Sequence, residues 1–483
     1  MSVTVLSPAT TPGVFGRRHR ALSIGLTALI ALVAFEYLAV ATAMPVVGRE
    51  LDGMALYALA FSGSLATSLF ANVLGGRWSD TRGPLAPLWT GVGAFAGGLV
   101  ISGVAPTMDV FIAGRFVQGL GGGLFTVAIY VVIARAYPPE AHPKVFSLTS
   151  AAWVVPSMVG PAITGAVTES VGWRWVFLAV PVLAAPAALL LWRGLAATGG
   201  VGGPGAKDGQ DAQGGQDAQG VQNAQDAQGV KDEADGAAAR TPIGVKLAAA
   251  TAAAVGAAMM QYGGGLRGPG GIALLAAGFA LLALTLPRLL PPGTLLAARG
   301  LATVIALRGL AAGGFLAAEV LVPRMLVGTR GLEATEAGLV LTGGALTWSL
   351  ASWIVGRRAY DRVRVLRLGT ALIAAGVTLV ALTVFQQIPV AAAFAAWVIT
   401  GFGIGMVYPT LSVLVLELSS PEEKGENSAA LGVGESVYSV VAVAVTGAAL
   451  AALGDTATVL AACFAVPVLM ALTGVLTAGR VRR

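Results

Sequence analysis

Glu36 stands inside a long apolar run, Leu22 to Val47. About 20 apolar residues form one helix able to cross a bilayer. An ionised carboxylate at that depth costs ~3 kcal/mol or more on insertion scales, so such a group faces a water-filled cavity, a partner charge or a proton path, or else only bonds within a helix bundle. In a partly dehydrated site desolvation disfavours the charged form. Glu36 is therefore read as a carboxylate that loads a proton on one side and releases it on the other. Glu435, a third of the way into another run, is the second candidate of this kind. Arg308 and Glu319 share one run and read either as cavity-lining charges or as side chains snorkelling toward an interface. The only histidines, His19 and His142, fall in expected loops. The chain has no H-E-x-x-H, G-x-S-x-G or C-x-x-C, and no G-x-x-x-x-G-K-[ST] phosphate loop. An intramembrane enzyme and an ATP-driven pump are thereby disfavoured, and no catalytic residue, metal or cofactor is expected.

Composition says where these groups lie. Of 483 residues, 56% are hydrophobic and 11% charged, with mean hydropathy +0.79. Soluble domains carry about 25% charged residues, so most of the surface must face lipid or other helices. The 66 glycines and many alanines suit helices that approach closely where no hydrophobic force drives them together. A pI near 9.7 could suggest nucleic acid, but the basic residues sit at the ends of apolar runs, which is a topology signal, so no nucleic-acid partner is expected. The single cysteine, Cys463, lies in an apolar run and excludes an intrachain disulfide.

Fourteen apolar runs are candidate spans: 22–47, 54–74, 87–105, 109–136, 145–168, 174–192, 243–260, 271–290, 300–326, 334–356, 366–385, 389–417, 427–452 and 456–478. The first is too long for a signal-peptide core and reads as an uncleaved helix. The pair at 243–290 is the weakest, and without it twelve spans remain. With both termini cytoplasmic, 23 Lys and Arg fall in inner loops and tails and five in outer loops, as the positive-inside bias requires. Between the halves, Asp-Ala-Gln-Gly recurs at 211–214, 217–220 and 226–229 in a tract without large apolar residues, which reads as a disordered linker. The expected organisation is all-α and polytopic: a cytoplasmic tail at 1–21, a six-helix bundle at 22–192, the linker at 193–242, two extra central spans at 243–290, a second six-helix bundle at 299–479, and a tail at 480–483. Trp173, Trp175 and Trp192 are expected in an interfacial aromatic belt.

After the second span the chain reads Gly76-Arg77-Trp78-Ser79-Asp80-Thr81-Arg82-Gly83. Gly76 lets two helices approach, and Asp80 can accept from a helix N-terminus or an arginine. This loop resembles the G-x-L-x-D-R-x-G loop of the major facilitator superfamily, with the arginine one place late at Arg82. Arg115-Phe116-Val117-Gln118-Gly119 resembles that family's R-x-x-Q-G element, and Pro156 to Gly165, with Gly160-Pro161 at its centre, resembles its antiporter-associated G-P-x-x-G motif. Proline there removes a helix bond and glycine removes bulk, so the helix can bend and pack tightly. Glu36 to Pro45 is similar to the first-span segment of fourteen-span drug:proton antiporters, with Glu36 at the family's Asp and with Leu38 and Ala41 replacing its Thr and Asn. Gly172-Trp173-Arg174-Trp175 also looks like that branch. Gly356 to Arg362, with Asp361 and Arg362, resembles a degenerate second copy of the first loop.

The resemblance implies a fold of two six-helix bundles with two extra central helices. It makes Arg115 a proton-coupling residue beside Glu36 and Glu435, tuning Glu36 electrostatically. It makes Gly76, Asp80, Arg82, Gly83, Asp361 and Arg362 gating loops, and Pro156, Gly160, Pro161 and Gly165 the antiporter-like helix. The function expected is a proton-coupled exporter of small amphipathic molecules or drugs. The alternative is a symporter or facilitator for a defined metabolite. Its partners would be a small-molecule substrate, protons and membrane lipid, and it would act as a monomer in a bacterial-type plasma membrane.

Overall fold

The computed structural model describes residues 14–53, 57–199, 242–264, 266, 268–332, 334–357, 360–454 and 456–482. The expected linker repeats, the first thirteen residues and Arg267 lie outside these. Every regular element among the described residues is helical, as a chain this apolar requires: lipid offers no partner for N–H and C=O groups, and a helix satisfies them within itself.

The first half comprises α1 (Arg20–Glu50), α2 (Tyr57–Arg82), α3 (Leu85–Gly103), α4 (Met108–Ala136), α5 (His142–Ala151), α6 (Val154–Ser170) and α7 (Arg174–Ala197). Two central helices follow, α8 (Ile243–Gly264) and α9 (Pro269–Leu289). The second half comprises α10 (Leu301–Gly328), α11 (Ala334–Arg357), α12 (Arg362–Leu382), α13 (Ala391–Glu417), α14 (Lys424–Leu453) and α15 (Ala457–Thr477). One packing pattern occurs twice. α4 lies against α2 and α3 as α13 lies against α11 and α12, and α1 lies against α6 and α7 as α10 lies against α14 and α15. Glycines set these distances. A methyl on Gly91 of α3 would stand 2.6 Å from the Phe125 backbone nitrogen of α4, and one on Gly376 of α12 would stand 2.7 Å from the Ala396 carbonyl of α13.

Twelve helices among the described residues are long and apolar enough to cross a membrane. That number equals the lower of the two expected counts, but its members differ. α8 and α9 are included, while α5 and α6 are each shorter than a span. α2 carries Ser64, Thr67, Ser68 and Asn72 and packs against α4, α8 and α14. The run expected as one span at 145–168 is two helices. Counted as one bent span, Pro139–Gly160 and Ile163–Ser170 meet at 45° and make a thirteenth. The bend falls at the Gly160-Pro161 step, where proline removes a backbone donor. Gly165 does not serve close packing, because a methyl there would meet nothing within 4 Å. Trp173 is not in an interfacial belt. It is 1% exposed, packs edge-on against Phe111 and Phe177 and donates to Glu50 at 2.8 Å. Trp175 and Trp192 are exposed, as a belt requires.

Candidate functional site

Glu36 on α1 and Arg115 on α4 are each 5% exposed, and their side chains meet at 2.5 Å, Arg115 Nη1 to Glu36 Oε1. Charges taken out of water are stable only when paired and further hydrogen-bonded, and Arg115 meets that condition. Its Nη1 also donates to the Gln118 side chain one turn on, its Nη2 to Ser64 Oγ at 3.1 Å and its Nε to the Ala60 carbonyl at 3.3 Å. Gly119 brings α2 close enough for this, since a side chain there would run into the Ser64 carbonyl. The R-x-x-Q-G spacing thus has a geometric meaning: arginine and glutamine share one face, and glycine admits the helix that supplies Ser64. Leu38, Ala41 and Pro45 belong to α1, but their side chains lie outside the described residues.

The second half holds another buried pair. Arg308 on α10 is 7% exposed and donates to Glu435 on α14 at 2.8 Å, so it does not snorkel. It lies over the Tyr408 ring of α13, 3.6 Å from the centroid. Tyr408 donates its hydroxyl to Glu435 at 3.1 Å. Arg308 also reaches the Tyr408 carbonyl at 3.2 Å and Ser412 Oγ at 3.3 Å. Ser412 bonds the Tyr130 hydroxyl of α4 at 3.0 Å, which carries the network into the first half. Ser64, Tyr130, Tyr408 and Ser412 were not singled out in the sequence. The available signal was weak: polar hydroxyls inside long apolar runs.

The Gly76–Gly83 segment joins the halves. Asp80 accepts from the Gly425 and Glu426 backbone nitrogens at 2.7 and 2.8 Å, at the start of α14, where free N–H groups and the helix dipole favour an anion. The helices touch there because both are glycine at the crossing: a methyl on Gly76 would stand 2.7 Å from the Gly425 carbonyl. Gly83, at φ +85°, turns the chain into α3. Asp80 lies at the end of α2, beyond its apolar segment. Burial pushes its carboxyl up to about 6, against the two backbone donors that pull it down. Arg82 is exposed and forms no ion pair among the described residues.

The second copy works differently. Gly356 packs on α5, where a methyl would stand 3.0 Å from the Pro143 carbonyl, and Ser147 of α5 donates to the Ser352 carbonyl at 2.6 Å. Asp361, however, caps its own helix α12 through Val363 and Arg364 and pairs with Arg482 at 2.7 Å. Arg362 pairs with Glu417 of α13 at 2.8 Å. Neither crosses between the halves. On the opposite side of the molecule, Glu50 pairs with Arg174 at 3.7 Å and Arg330 donates to the carbonyls of Thr383, Phe385 and Ile388, each within its own half. The halves are therefore latched at the end that carries the α2–α3 turn.

Two repeated helix bundles, latched at one end and with paired charges buried in their spans, define a multi-span membrane carrier. The family model for the Major Facilitator Superfamily matches residues 24–443, and the chain belongs to that superfamily. It is a transporter and not an enzyme. It is 30% identical over 185 residues to a probable multidrug-efflux transporter of Mycobacterium tuberculosis, covering 38% of this chain and 39% of that protein. Against multidrug resistance protein 3 of Bacillus subtilis it is 29% identical over 160 residues, 33% and 31% of the two chains. The chain thus spans about a third of the length of the curated relatives it matches. Among solved structures, the human organic anion transporter MFSD10 superposes with a TM-score of 0.66 at 14% identity, covering 95% of this chain and 99% of that one. The proton:xylose symporter XylE superposes at 0.62 and 14%, covering 94% of each.

Proposed function

We propose that this protein is a proton-coupled exporter of small amphipathic molecules, working in the plasma membrane with both termini cytoplasmic and fourteen spans. The observation that carries the reading is the buried Glu36–Arg115 pair. A carboxylate kept out of water beside a permanent cation has two states, bare and paired or protonated and unpaired, and moving between them moves one proton. When Glu36 takes a proton, Arg115 loses its counter-charge but still donates to Gln118, Ser64 and the Ala60 carbonyl, which offsets part of that cost. Glu435 can follow the same cycle, because Arg308 keeps Ser412 and the Tyr408 carbonyl. The Asp80 latch and the Gly356 contact would close the cytoplasmic side while Glu36 loads from outside. The membrane potential adds about 2.3 kcal/mol per charge per 100 mV, enough to drive export more than tenfold uphill. α2 counts as a span because residues 58–75 are mainly apolar and carry no charge.

The test is transport by purified protein in proteoliposomes with an acid lumen, against a panel of dyes, antibiotics and metabolites. Uptake of amphipathic compounds that collapses with the pH gradient supports the reading. Proton-driven movement in the same direction as a single metabolite would replace it with symport.

A further inference from the structure

A cavity of about 140 Å³ lies where α2, α8, α9 and α14 meet. Arg77, Lys246 and Glu426 line it together with Val73, Ile243 and Leu289. Those residues fix its depth. Ile243 opens α8, Leu289 closes α9, Glu426 lies in the first turn of α14, and Arg77 is near the end of α2. Spans end where hydrocarbon gives way to headgroups, so the cavity sits at that boundary, at the end of the molecule that carries the Asp80 latch. Its charges do not balance. Lys246 is neutralised by its ion pair with Glu426. The Arg77 side chain has no hydrogen bond and no ion pair among the described residues. The first turn of α8 adds to the positive excess, because the N–H groups at a helix start have no intrahelical acceptor.

From this placement we infer that the cavity holds one anionic phospholipid, its phosphate against Arg77 and the start of α8, and the upper part of an acyl chain along Val73, Ile243 and Leu289. A guanidinium can hold a phosphate through two parallel N–H···O bonds. Basic pockets between spans at the headgroup level suit anionic lipids, and the apolar lining favours a lipid over a free phosphate ester. The same chain offers a competing anion in Asp232, Glu233 and Asp235, shortly before α8. That stretch brings charge but no apolar body for the Val73, Ile243 and Leu289 wall. α8 packs on α9, α2 and α14, so the lipid touches both halves and the central pair at once and fastens that pair to the bundle.

The experiment is titration of the purified full-length protein in detergent with phosphatidylglycerol or with phosphatidylcholine, bound lipids being counted by native mass spectrometry. One phosphatidylglycerol should bind ahead of any phosphatidylcholine. Arg77→Gln should weaken that binding about fivefold, the worth of one basic residue at an anionic lipid surface, and Arg77→Lys should keep part of it. Glycerol phosphate at millimolar concentration should not displace the lipid. On the unaltered protein, phosphatidylglycerol should slow phenylglyoxal modification of Arg77 but not of the exposed Arg82, read by peptide mass spectrometry, and phosphatidylcholine should slow neither. This arm does not depend on a variant folding. Equal binding of the two lipids, unchanged binding by Arg77→Gln, displacement by glycerol phosphate, or modification of Arg77 unaffected by phosphatidylglycerol overturns the inference. So does shielding of Arg77 that persists without lipid and ends when 207–235 is deleted, which assigns the cavity to the chain's own acidic stretch.

Discussion

Glu36 and Arg115 form a unit whose parts have unequal freedom. Glu36→Gln preserves shape and hydrogen bonding but removes the titratable proton, so the variant should bind substrate yet fail to concentrate it, as flux against a gradient would show. Glu36→Asp should retain part of the activity. Arg115→Lys should lose most of it, because an ammonium cannot hold Glu36, Gln118, Ser64 and a carbonyl at once. Arg115→Ala leaves a buried carboxylate unpaired and should cost about 3–5 kcal/mol of stability. Adding Glu36→Ala should recover part of that loss in a denaturation assay. Glu36 was visible in the sequence because a charge in an apolar run is costly wherever it ends up. That Arg115 acts on it was expected from the family resemblance alone; the direct ion pair was not legible, because it joins residues 79 apart through the rotation of two helices. The Tyr408–Ser412–Tyr130 chain was hidden for another reason: serine hydroxyls in helices commonly bond their own backbone, as Ser412 also does.

At the scale of elements, the latch is the feature with a testable pH dependence. Asp80 binds its proton more tightly in the latched state, with its carboxyl at about 6, than when the halves part and water restores an ordinary value near 3.8. The latched state should therefore gain population as pH on that side falls from 7 through 6 and level off below about 4. Distances between spin labels on α2 and α14 would measure this, and Asp80→Asn should flatten the curve. Gly76→Leu should unlatch the halves at every pH, because its side chain cannot fit against the Gly425 carbonyl. The Gly76–Asp80 contact was legible as a motif because it uses local geometry, a glycine and a carboxylate one turn apart. Its imperfect copy at Gly356 preserved the glycine contact and lost the carboxylate's reach: Asp361 sits at an N-cap, where its own helix satisfies it.

For the whole molecule, hydropathy read nearly every helix but not how each would be used. The 145–168 run ends its first helix at Ala151 and bends by 45° after Gly160, where Pro161 removes a backbone donor. The orientation remains open to direct test: reporters within 205–235 should be cytoplasmic and one near Gly268 external, and deletion of 207–235 should leave transport nearly intact. A reporter at Gly268 on the same side as the linker would remove α8 and α9 from the count of spans. The central claim is that substrate and proton move in opposite directions through a cycle that needs Glu36. It is tested most directly by recording lumen pH with a trapped dye when substrate is added to acid-loaded proteoliposomes. The wild type should alkalinise the lumen in step with substrate uptake, and Glu36→Gln should give no alkalinisation. Substrate uptake by the wild type with lumen pH unchanged, or full alkalinisation by Glu36→Gln, would contradict the account.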